Sequence, residues 1–157
     1  MRDKPSAIMR IYITGAKGQL GRALMRRLAH HTLLGTDLPE VDLTDLAAIQ
    51  SSIRSFTPDV IIHAAAMTDV DGAARDPDAA YRINGLGTRN AAVSAESIGA
   101  AVLAISTNEV FDGKKTEPYT EFDQTNPINP YAQSKLAAEN FVRELSHRFY
   151  IVRTAWL

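Results

Sequence analysis

A doubly wound α/β fold, with a parallel sheet and helices on both faces, is what this sequence predicts. Three observations carry it. Short continuous apolar runs alternate with helix-period stretches, a glycine-rich turn joins the first such pair, and no low-complexity linker or internal repeat interrupts the alternation. Residues 9–14 (MRIYIT) are β-branched and aromatic-rich and read as the first strand. Residues 18–30 follow as a helix with Leu20, Leu24 and Leu28 on one stripe. Residues 32–36 form a short second strand. Thr44 offers an N-cap to a helix over residues 45–56, and Pro58 precedes a third strand over residues 60–65. Asp76 and Pro77 open a long helix that runs through Ile98 and is closed by Gly99. Residues 101–106 give a fourth strand, Pro130 starts a helix to His147, and residues 149–156 give a fifth strand. Strands apolar throughout are buried on both faces, the mark of a parallel sheet joined by right-handed crossovers. Ligands of such sheets bind beyond the carboxyl ends of the strands, so chemistry is expected in the segments after each strand.

The composition sets the bounds. At 157 residues, 45% hydrophobic and 22% charged, the chain has the make-up of one globular domain. The absence of cysteine excludes disulfide frameworks and Cys-ligated zinc or iron–sulfur sites. A net charge of −1 provides no global field to gather nucleic acid or an anionic membrane surface. No stretch approaches the roughly 18 apolar residues of a spanning helix, so a cytoplasmic protein is expected. Met9 directly precedes the first strand, which makes residues 1–8 a flexible extension and residues 9–157 the folded domain.

Gly15, Ala16, Lys17, Gly18, Gln19, Leu20 and Gly21 form a G-x-x-G-x-x-G turn between the first strand and the first helix. Glycines let backbone approach a pyrophosphate closely, and the helix N-terminus supplies oriented N–H donors. The spacing differs by one residue from the G-x-G-x-x-G fingerprint, and a strand–helix turn without a ligand is the plain alternative. Asp37 stands 22 residues after Gly15 at the end of the second strand, close to the offset of about 20 at which an acid takes the ribose hydroxyls. The pair points to a Rossmann-type dinucleotide site. Asp42 and Leu43 flank the adenine, or Asp42 serves the dipole of the following helix, and both roles are compatible. Asp37 repels a 2′-phosphate whereas Lys17 and Arg22 would offset that repulsion, so NADH and NADPH both stay open as cofactors.

Tyr131 and Lys135 are four apart in a helix and share a face. An ammonium near a phenol favours the phenolate, lowering a pKa that starts near 10. Thr107, directly after the fourth strand, places a hydroxyl within reach of a substrate carbonyl. The three suit hydride transfer: nicotinamide carries the hydride, Tyr131 the proton, Lys135 tunes the tyrosine and holds the ribose, and Thr107 orients the carbonyl. Tyr-x-x-x-Lys pairs also arise by chance on solvated helices, so their weight comes from the glycine turn. His63, inside an apolar strand, reads as a satisfied core histidine, while His30, His31 and His147 read as helix-terminal groups set against the dipole. Asp69, Asp71, Asp76 and Asp78 read as a helix-capping acidic turn rather than a metal loop. Phe111, Tyr119 and Phe122 are expected to pin the loop over residues 112–130 to the sheet.

The turn GAKGQLG, the run PDVIIHAAAMTDVD, the segment ISTNEVFDG, the block NPINPYAQSKLAAE and the ending VRTAWL together resemble the extended short-chain dehydrogenase/reductase family, and within it the dTDP-4-dehydrorhamnose reductases. The resemblance covers nearly the whole chain from Met9. It implies an NADPH- or NADH-dependent oxidoreductase that reduces the 4-keto group of a dTDP-4-keto-sugar in dTDP-rhamnose biosynthesis. Carried over position by position, the catalytic residues fall on Thr107, Tyr131 and Lys135. Cofactor contacts fall on the residues from Gly15 to Leu20, on Asp37, Asp42 and Leu43, on Ala64, Ala65, Ala66 and Thr68, and on Tyr131 and Lys135. The substrate side falls on Val70, Asn84, Thr107, Glu109 and Trp156. Glu109 stands where the family more often has tyrosine, which puts the sugar specificity in question. The family is about twice this length, so the chain is expected to hold the cofactor site, lack the carboxyl-terminal substrate-binding part and turn over little alone. An uncovered fifth strand makes a homodimer conceivable. Two other readings share these motifs: a nucleotide-sugar epimerase or dehydratase with tightly held NAD, and a regulatory NADP-binding subunit like that of methionine adenosyltransferase. A metal, a nucleic acid and a membrane are not expected partners.

Overall fold

A computed structural model of the protein describes residues 7–155. Five parallel strands, β1 (Arg10–Thr14), β2 (Thr32–Thr36), β3 (Val60–His63), β4 (Ala101–Thr107) and β5 (Phe149–Thr154), form one sheet in the order β2-β1-β3-β4-β5. The order reverses beside β1, so a crevice opens at the carboxyl ends of β1, β2 and β3. Helices α1 (Gln19–Arg27), α2 (Leu46–Phe56), α3 (Val70–Arg75), α4 (Pro77–Ala80), α5 (Gly87–Glu96) and α6 (Pro130–Leu145) make the connections. The doubly wound expectation holds.

Alternation along the strands splits the core in two. Tyr12, Ile61, Val102 and Ala104 face one side and pack with Ile49 and Ile53 of α2, Ala91, Ala92 and Ala95 of α5, and Val142 of α6. Ile11, Ile13 and Ile62 face the other side, against Leu24, Met25 and Leu28 near α1.

Several local expectations are corrected. The cap of α2 is Asp45, whose carboxylate accepts from the N–H groups of Ala47 and Ala48; the Thr44 hydroxyl is spent on Asp42, 2.8 Å away. Strand β3 stops at His63, freeing residues 64–66 from the sheet. The single long helix is divided: Asp76 caps the short α4, a π-helical turn spans Tyr81–Leu86, and α5 follows, with Gly99 beyond its end at φ 70°. Helix α3 before it was not anticipated. His30 and His31 lie past α1, and His31 accepts a bond from the Met9 N–H (3.2 Å). Helix α6 ends at Leu145, and His147 bonds Glu96 at 2.7 Å instead of completing the helix. Phe111 and Tyr119 do stack, with centroids 4.3 Å apart, but Phe122 is 96% exposed and pins nothing. No helix among the described residues is long and apolar enough to cross a membrane.

Candidate functional site

The glycine turn is built for close approach. Gly15 sits at φ 69°, and a Cβ there would lie 2.7 Å from the Cα and N of Ala65. A Cβ on Gly21 would collide with the Gly15 carbonyl, so α1 lies directly against the turn. The first turn of α1 carries no acidic side chain and no side-chain cap, which leaves its N–H groups unspent and facing a cavity. That cavity, about 620 Å³, is lined by the residues from Gly18 to Gly21 on one side and by Thr107, Tyr131 and Lys135 on the other. Ala64, Ala66, Thr68, Val70 and Glu109 complete its walls. A neighbouring cavity of about 370 Å³ lies at the ends of β1, β2 and β3, bounded by Gly15, Asp37, Asp42, Leu43 and Ala65. Residues predicted from two separate halves of the sequence thus meet around adjoining spaces.

The polar framework beneath these cavities is satisfied. Asp37 accepts from the backbone N–H of Lys17 and of Leu38, each at 2.9 Å, tying β2 to the glycine turn. Thr14 receives the Ala65 N–H (3.3 Å) and contacts Nδ1 of His63 at 2.9 Å; Nε2 of His63 meets Thr88 at 2.9 Å. The Thr88 hydroxyl donates to the Asn84 carbonyl at 2.6 Å. It therefore accepts from His63, which fixes the Nε2–H tautomer. His63 is a core histidine as expected. Its pKa is lowered to about 3, by burial first and by Lys135 second.

Asn84, which the resemblance carries to the substrate side, lines neither cavity. It is fully buried, accepts from the Met67 N–H (2.7 Å), and donates to the Met67 carbonyl (3.0 Å) and to Ser134 (2.9 Å). Its role is to hold the segment after β3 against α6. Ala16 and the Lys17 side chain also turn away from both cavities: the Ala16 N–H bonds the Thr36 carbonyl and Lys17 Nζ bonds Glu40. Trp156 lies outside the described residues.

Tyr131 and Lys135 are both buried and line the same cavity, yet the expected electrostatics do not follow. Burial raises the Tyr131 pKa; the nearby Thr107 hydroxyl pulls it down and the Glu109 charge adds to the rise. Lys135 Nζ donates to the Ile105 carbonyl at 2.7 Å. Burial lowers its pKa to about 8, against an opposing pull from Glu139. Glu139 and its partners were not anticipated. The carboxylate is 1% exposed and receives Ser106 (2.6 Å), Arg143 (2.9 Å) and Arg153 (2.7 and 2.9 Å). Burial pushes its pKa up, and the bonds from Arg153, Ser106 and Arg143 outweigh that and leave it below the usual value. Its position one turn beyond Lys135 was legible, but its partners on β4 and β5 were not. Asn129, directly before Pro130, caps α6 through the Ala132 N–H and donates to Glu109 at 2.8 Å. Glu109 thereby stands between the cavity lined by Tyr131 and Lys135 and a third one, about 580 Å³, bounded by Phe111, Tyr119 and Arg153. No group of metal-binding side chains occurs among the described residues.

Comparison with known proteins is consistent with this geometry. The family described as RmlD substrate binding domain matches residues 9–157. A dTDP-4-dehydrorhamnose reductase of Aggregatibacter actinomycetemcomitans is 41% identical over 150 residues, covering 94% of this chain and 51% of that protein. The crystal structure of the Bacillus anthracis dTDP-4-dehydrorhamnose reductase, in complex with NADP, superposes with a TM-score of 0.93 at 41% identity, covering 98% of this chain and 55% of that one. The Bordetella bronchiseptica enzyme WbmG, in complex with NAD and UDP, gives 0.83 at 25% identity, covering 94% and 53%. The chain spans about half the length of the relatives it matches.

Proposed function

The chain belongs to the RmlD substrate binding domain family, and from that membership we propose that it is the coenzyme-binding and proton-transfer part of an NAD(P)H-dependent reductase of dTDP-4-dehydro-L-rhamnose. The observation that carries the reading is the cavity of about 620 Å³ shared by the N-terminus of α1 and by Thr107, Tyr131 and Lys135. The same chemistry fits both walls. Unspent N–H groups and glycine backbone suit a pyrophosphate, and the Asp37 carboxylate suits ribose hydroxyls. A nicotinamide coenzyme bound there supplies hydride to a carbonyl carbon. The Thr107 hydroxyl donates to the carbonyl oxygen, and Tyr131, whose phenol burial keeps protonated, delivers the proton as charge develops on that oxygen. Lys135, with two N–H donors left after its bond to Ile105, is placed to hold a ribose hydroxyl. Residues 9–157 are read as one coenzyme-binding domain. The relatives are about twice as long, and the rest of the sugar pocket is expected to come from the part of their length that these residues do not cover.

Titration with NADH and NADPH, followed by nicotinamide fluorescence, tests the reading. Saturable binding that Gly15→Ala abolishes is expected, with little or no turnover of dTDP-4-dehydro-L-rhamnose by this chain. Absence of binding in a chain shown to be folded by circular dichroism refutes it.

A further inference from the structure

The cavity at the ends of β1, β2 and β3 carries an imbalance of charge. Asp37 and Asp42 line it, and no lysine or arginine does among the described residues. Two cations lie nearby in sequence, and both are occupied elsewhere. Arg22 donates through its guanidinium to the Lys17 carbonyl at 2.8 Å. Lys17 spends all three donors of its ammonium: on the Leu38 carbonyl (2.7 Å) and on both oxygens of Glu40 (2.7 and 2.9 Å). Its backbone N–H meanwhile bonds Asp37, so the lysine stands beside the acid that faces the ribose while its charge is turned away. Arg82 does not line the cavity but is close enough to Asp42 to lower its pKa, after the bonds from Thr44.

Resting on the coenzyme site proposed above, we propose that Glu40 selects the coenzyme. By sequestering the Lys17 ammonium it leaves Asp37 uncompensated, so the site takes the ribose diol of NADH in preference to the 2′-phosphate of NADPH. Lys17 lies within the glycine turn and one hydrogen bond from Asp37, on a flexible four-carbon stem. Without Glu40 its ammonium is free to swing to a phosphate at the 2′ position. The lysine and the glutamate are 56% and 58% exposed, so an exchange of partners costs little and the fold is not at stake.

The experiment is parallel titration of the chain with NADH and NADPH at low ionic strength, for the wild type, Glu40→Gln and the double variant Glu40→Gln/Lys17→Met. The wild type is expected to bind NADH more tightly. Glu40→Gln should shift the ratio of dissociation constants toward NADPH by about fivefold to tenfold, the scale of one charge-assisted contact at an exposed site. The double variant should lose most of that gain. Equal binding of the two coenzymes by the wild type, an unchanged ratio in Glu40→Gln, or a gain that survives without Lys17 overturns the proposal while leaving the coenzyme site standing. Survival of the gain would mean that removing a negative charge, not releasing the lysine, was responsible. Binding of neither coenzyme by the folded wild type removes the site itself.

Discussion

Burial fixes the character of Lys135 and His63 before any ligand arrives. Lys135 is charged in the unfolded chain up to its ordinary pKa of 10.5, but its folded pKa is about 8. Between those values the unfolded state binds more protons, so stability rises with pH across that window, and below pH 8 the full cost of burying the cation is present. Lys135→Met is therefore expected to stabilise the chain at pH 7 by about 1–3 kcal/mol while weakening the coenzyme binding proposed above. Urea denaturation of both proteins should show the advantage shrinking from pH 8 toward pH 10. For His63 the folded pKa is near 3 against an ordinary 6.5. Its contribution is complete above pH 6.5 and is lost as pH falls toward 3, by something on the order of 4 kcal/mol. His63→Asn, which keeps polar atoms toward Thr14 and Thr88 but does not titrate, should flatten the fall in urea midpoint between pH 7 and pH 4. An unchanged fall would place acid sensitivity elsewhere. The four-residue spacing made the Tyr131–Lys135 face legible. It did not reveal that the lysine reaches the Ile105 carbonyl, because that acceptor belongs to a strand distant in sequence.

Strands and their order of appearance were readable because an apolar run buried on both faces leaves a pattern local to the run. The segment over residues 64–100 was less readable, and the π-helical turn at Tyr81–Leu86 explains why. An unbroken helical period predicts one helix, whereas the turn is stabilised by tertiary bonds of Asn84 to Met67 and Ser134 that no local pattern records. Through Ser134, which donates to the Tyr131 carbonyl at 2.7 Å, the same amide braces the helix that carries the tyrosine. Asn84→Ala leaves the Met67 N–H and carbonyl without their partner in the interior, and is expected to cost about 2–4 kcal/mol. Denaturant titration measures that cost. If the bond to Met67 also shapes the cavity wall over residues 64–68, coenzyme affinity at a temperature where the variant is fully folded should fall with it. Capping followed the same logic on a smaller scale: Thr44 had the right chemistry for α2, but Asp42 two residues away claimed its hydroxyl.

At the scale of the whole sheet, its two faces are served unequally. Helices α2, α5 and α6 cover one face out to β5, where Ile151 joins the core with Val142. The other face has the side chains around α1, and its apolar packing reaches β4 only as far as Leu103. Register settles what lies beyond: Leu103 pairs with Tyr150 and Ile105 with Val152, and register partners in a parallel sheet share a face. Tyr150 is 67% and Val152 39% exposed, on an edge strand bonded to β4 alone among the described residues. An apolar face next to an open edge is a template for association. The chain of 157 residues is accordingly expected to gain apparent mass with concentration in light scattering. Tyr150→Lys combined with Val152→Lys should hold it at the monomer mass with its circular dichroism unchanged, since neither side chain enters the core. A wild-type chain that stays monomeric at high concentration would show that the twist of the edge and the charges near it suffice to protect the face.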